Sequence, residues 1–150
     1  MRQQLHRLGA ALAVFVAGIH LYWALPVAAR QLRYMQIHDP RPAAFLLAAM
    51  GILAGIALVY QGFNPLPIYL GGIGLMLVFL FGYAGWHTVL DHGAFWPGRP
   101  GHGHSHGATF GVVIDHLRDD PVALASKIGE LALLVVLGAL AIDRRRDETA

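Results

Sequence analysis

No cysteine occurs in the 150 residues, which excludes disulfides, thiolate metal sites and cysteine nucleophiles. A bound metal must therefore be held by His, Asp, Glu, Met or backbone oxygen. Charge is also scarce. Only 13% of residues are Asp, Glu, Lys or Arg, against 56% hydrophobic, and mean hydropathy is +0.52. That balance is too apolar for an ordinary soluble domain of this length and points to a bilayer. Lysine occurs once, at Lys127, and the arginines sit singly near the ends of apolar runs or in the triplet Arg144 to Arg146. Without a basic stripe, nucleic acid is not an expected partner. No phosphate-binding glycine loop, catalytic carboxylate pair or Ser/His/Asp arrangement occurs, so an enzyme is not expected. No internal repeat is found either, which argues against an inverted-repeat transporter.

What is present is four apolar segments, Leu8 to Ala29, Pro42 to Tyr60, Leu66 to Leu90 and Pro121 to Ile142. Each is long enough to cross ~30 Å of hydrocarbon as a helix. The first follows Arg2 and Arg7 and resembles a secretory signal, but its length favours a retained span. The fold expected is all-α, an integral membrane four-helix bundle forming one domain over 1–150. The residues Gln61 to Pro65 make a tight turn that sets the second and third helices antiparallel. Asp120 before Pro121 is a helix start, an acceptor at the cap followed by proline at the first helical position.

An even number of spans puts both termini on one side and the loops 30–41 and 91–120 on the other. Arginine counts on the two sides balance. The triplet abutting the last helix favours cytoplasmic termini in a multi-pass protein of the cell membrane. Within the long loop, Thr109 to Arg118 reads as a short amphipathic helix, with Phe110, Val113, Ile114 and Leu117 on one side and Asp115, His116 and Arg118 towards the other. Tyr22, Trp23, Trp86, Phe95 and Trp96 gather at the loop-side helix ends, where interfacial aromatics anchor a span. Small residues at helix-contact spacing, including Gly51/Gly55, Ala44/Ala48 and Gly9/Ala13/Ala17, mark packing seams and allow a homo-oligomer.

Six of the nine histidines fall between Trp86 and His116. His87, Asp91 and His92 close the third segment, His102, His104 and His106 alternate with Gly and Ser, and His116 follows beside Asp115, Asp119 and Asp120. Neutral imidazole is the commonest ligand for divalent transition metals, and a Gly/His run is free to wrap around an ion. Zinc, copper or nickel is thus the expected cofactor. His87 and Asp91 would share one helical face if the helix ran through both.

A second set lies within the spans. At 1.5 Å per residue, His20 and Glu130 both fall roughly 20 Å from the terminal side. Tyr83 and Met50 come near that level, with Lys127 just above. Ionisable groups inside a span usually face the bundle interior with a partner, so Glu130 is expected to meet Lys127 or His20. The alternative use of these histidines is a haem clamped between His20 and His87.

The run Gly101-His102-Gly103-His104-Ser105-His106-Gly107 resembles the histidine-rich loops of cation diffusion facilitators and ZIP-type zinc transporters. The spans lack those families' intramembrane Asp/His sets, so transport is not implied. The stretch from Ala84 to Gly98, with the Asp-Pro start of the last helix, looks like uncharacterised four-helix membrane proteins of halophilic archaea, a resemblance that implies no activity. The functional expectation is a metal-binding accessory to uptake, delivery or sensing. The alternatives are a structural or assembly subunit of a larger membrane complex, and a haem- or quinone-binding redox subunit.

Overall fold

The computed structural model describes residues 2–35, 39–90 and 109–149. Among these are five helices and no strand: α1 (Arg2–Arg33), α2 (Arg41–Tyr60), α3 (Pro65–His87), α4 (Thr109–Asp119) and α5 (Pro121–Thr149). All but α4 are long and apolar enough to cross a membrane.

The starts of α2, α3 and α5 share one chemical device, an acceptor side chain just ahead of a proline. Asp39 Oδ1 accepts the Arg41 N–H at 3.0 Å, Asn64 Oδ1 accepts the Leu66 N–H at 3.1 Å, and Asp120 Oδ1 accepts the N–H groups of Val122 and Ala123 at 2.9 Å. Proline costs nothing there because its missing N–H is one that the first turn leaves unpaired. The turn between α2 and α3 places Gly62 at φ +86°, a left-handed conformation that glycine adopts without a Cβ penalty.

Helix ends differ from the sequence expectation at three places. α1 begins at Arg2 and runs through Pro26 to Arg33 rather than covering only 8–29. α3 stops at His87, not Leu90. Thr88 turns its hydroxyl onto the Ala84 carbonyl at 2.6 Å, and the Leu90 N–H goes back to Gly85. α5 continues past Ile142 through the arginine triplet. There Asp143 and Asp147, one turn apart, both pair with Arg2 of α1, so polar residues outside the apolar run still gain from helical register.

α1 lies against α2 and α5, and α3 against α5 and α2, while α4 rests on α5 and α3. The Arg2 ion pairs bring both chain ends together. Tyr69 at the start of α3 joins them through His6, its hydroxyl 3.1 Å from Nδ1. At the opposite end Arg41 lies over Trp23 at 5.2 Å and Trp86 at 4.2 Å from the ring centroids. Asp39 grips the same guanidinium.

Between the ends, Val16, Ala49, Met76 and Leu133 form an apolar core. Tyr69, Val136, Leu140 and Ala141 form a second one nearer the termini. The closest helix approaches come at Gly72, where a Cβ would stand 2.8 Å from Leu137, and Gly129, where it would meet Phe15 at the same distance. Gly55 of the expected seam packs on Ile68, whereas Gly51 has nothing within 4 Å of its Cβ position.

Candidate functional site

Glu130 is completely buried in a protein whose outer surface is apolar. A charge can persist in such a place only with partners that replace its water. α5 supplies two of them at helical spacing: Lys127 reaches both carboxylate oxygens, at 2.8 and 2.6 Å, and Ser126 donates its hydroxyl to Oε1 at 2.9 Å. The remaining Lys127 hydrogen goes to the Phe79 carbonyl of α3 at 3.2 Å. All three ammonium hydrogens are thereby used.

From α1, His20 presents Nε2 to Glu130 Oε1 at 3.6 Å. Its Nδ1 lies 2.8 Å from the Val16 carbonyl, a bond that requires the proton to be on Nδ1. In the neutral tautomer Nε2 would turn a lone pair towards a carboxylate oxygen. Phe79 stacks on the imidazole at 4.2 Å between centroids and Phe45 meets it edge-on at 5.0 Å. Phe79, Lys127 and Tyr83 stand on the side towards His87.

Polar and aromatic groups continue towards the loop end. Lys127 Nζ lies 5.0 Å from the Tyr83 ring, Tyr83 and His87 are 4.4 Å apart between centroids, and His87 and His116 are again 4.4 Å apart. His116 is half-buried towards His87 rather than on the polar outside of α4. Asp115 and Arg118 do face outwards. The Nδ1 of His116 lies 2.8 Å from the Val112 carbonyl.

His20, Lys127 and Glu130 thus share one cluster, with Tyr83 between it and the His87/His116 pair. Met50 is not part of it, being 64% exposed. α3 ends at His87, and Asp91, the expected partner on its face, lies outside the described residues. His92, His102, His104 and His106 also lie outside the described residues, within which no three His, Asp or Glu side chains converge as a metal site. Ser126, Phe45, Phe79 and the Asp39–Arg41 pair were not singled out by the sequence reading. Ser126 could have been, since it stands four residues from Glu130 on the same helical face. The chain matches no family model, no curated protein and no solved structure.

Proposed function

We propose that this chain is an integral membrane protein, a four-helix bundle of the cell membrane with cytoplasmic termini, whose opposite end binds zinc, copper or nickel in service of metal uptake, delivery or sensing. Support for the membrane comes from inverted polarity. Val78, Phe81, Leu47 and Val135 stand 64%, 73%, 70% and 64% exposed, whereas Glu130 is fully buried. Water would penalise such a surface and lipid does not.

The observation that carries the metal reading is the approach of His87 and His116, from different helices, to 4.4 Å between ring centroids. Zinc–nitrogen bonds are ~2.0–2.1 Å, so a modest turn of either ring lets both nitrogens address one ion. The Val112 carbonyl accepts a hydrogen bond from His116 Nδ1 at 2.8 Å. This is the usual outer support of a metal-bound histidine. Further ligands are abundant in the intervening sequence, at His92, His102, His104 and His106.

Calorimetric titration of the untagged protein with zinc tests this. Replacing His87 and His116 together with Ala is expected to weaken binding at least tenfold, on the order of other losses around metal ligands, and acidification should release the ion because protons compete for imidazole. A double variant that titrates like the parent would overturn the assignment. If the His102, His104 and His106 triple variant alone loses binding, the site belongs to the glycine run.

A further inference from the structure

At the terminal end, α1, α2, α3 and α5 line a half-open cavity of about 720 Å³, inside the ~300–1,000 Å³ of small-molecule sites. Its floor is Ala13, Ile52, Met76 and Leu133, and its mouth carries Gln3, His6, Arg7, Tyr60 and Tyr69. Two glycines of its wall, Gly51 and Gly71, have no atom within 4 Å of where a Cβ would stand, so these positions lie open to whatever fills the space.

The charge at the mouth is one-sided. No acidic residue lines the cavity. Arg2 nearby is taken up by Asp143 and Asp147, while Arg7 makes no ion pair among the described residues. Beside it the His6–Tyr69 pair adds hydrogen-bonding atoms at the same level.

We propose that this cavity is a binding site for an anionic amphiphile, one hydrocarbon chain lying between the helices and a phosphate or carboxylate head against Arg7. The size fits. With a methylene taken as about the 30 Å³ share of a liquid water molecule, a chain of about eighteen carbons fills about 540 Å³ and leaves room for the head. A phosphate or carboxylate accepts hydrogen bonds from the Arg7 guanidinium, and a head of net negative charge neutralises it more fully than a zwitterionic one such as phosphatidylcholine, which brings its own choline cation. The inference rests on the membrane half of the reading above and is independent of the metal.

The full chain, extracted in mild detergent, is examined by native mass spectrometry and thermal melting with phosphatidylglycerol, oleate, phosphatidylcholine or menaquinone added. One anionic amphiphile retained per chain, with a melting temperature raised by phosphatidylglycerol or oleate and not by phosphatidylcholine, is expected. Which of the two is retained separates a bilayer phospholipid from a free fatty acid.

Arg7→Gln should lose at least tenfold of the preference for anionic over neutral lipid. Gly51→Leu and Gly71→Leu should each reduce retention at unchanged helicity. If one of these fails to fold, the other and the exposed Arg7→Gln still decide. Equal retention of neutral and anionic lipid, preferential uptake of menaquinone, or a dimer that excludes lipid would overturn the proposal. A chain found outside the membrane fraction would instead overturn the membrane reading itself.

Discussion

The Glu130 cluster and the terminal-end cavity occupy the same helical stack, separated by Met76 and Leu133, and they are built on opposite principles. Around Glu130 the carboxylate, the Ser126 hydroxyl and the Lys127 ammonium all have hydrogen-bond partners within the chain, and the contacts come from α1, α3 and α5. In the cavity the walls are apolar, glycines stand where side chains could project, and a cation waits at the rim. One region is complete in itself. The other is an apolar space with a guanidinium at its rim. Charge satisfied internally confers rigidity and register, whereas the apolar cavity with its cationic rim is where we propose that an amphiphile binds.

The comparison breaks most sharply at the carboxylate. Glu130→Gln removes the negative charge from a largely buried Lys127, and losing one partner of a buried pair costs up to about 3–5 kcal/mol. A large drop in melting temperature in detergent is therefore expected. Adding Lys127→Met to that variant should recover part of it, because a buried pair replaced whole is far better tolerated than one that is broken. If the double variant melts lower than the single, the charges are not a pair.

A smaller effect is expected from opening the floor between the two regions. Met76 is fully buried and borders both the core and the cavity, so Met76→Ala should cost about 2–5 kcal/mol. It should also hasten deuterium exchange at the Glu130 cluster, followed by infrared spectroscopy. Exchange as slow as in the parent would mean that other side chains seal the layer.

Least affected should be the cavity wall. Gly71→Ala adds a methyl group that meets no neighbour, and its melting should stay within about 0.5 kcal/mol of the parent. A clear destabilisation would mean that another molecule, a lipid or a second chain, already packs closely there.

Most of the fold was legible because its signals are local. Apolar runs of spanning length, acceptor–proline helix starts and the turn at Gly62 are written in neighbouring residues, and the structure has helices at those places. The ends of α1, α3 and α5 were less legible. Hydropathy marks where a helix would leave hydrocarbon, not where the backbone stops being helical. The ends are decided by contacts such as Arg2 with Asp143 and by the Thr88 hydroxyl turning back on Ala84. The Lys127–Glu130 contact was foreseeable from spacing along one helix. His20 at the same level followed from counting residues across two spans, a geometric argument that worked because both helices are regular.

The sequence by itself determined the class of molecule, an all-helical chain with four apolar segments, scarce charge and a concentration of imidazole near one end. Those properties depend only on which residues follow one another. Tertiary structure alone decided that His116 turns inwards to His87, that Phe79 and Phe45 enclose His20, and that Arg41 is held between two tryptophans and Asp39. It alone decided that Gly51 and Gly71 border a cavity. Each of these depends on the rotation of one helix about its axis relative to its neighbours. In a span that is apolar on every side the hydrophobic pattern does not specify that rotation. It is set by close packing at Gly72 and Gly129 and by the few polar groups that must find one another.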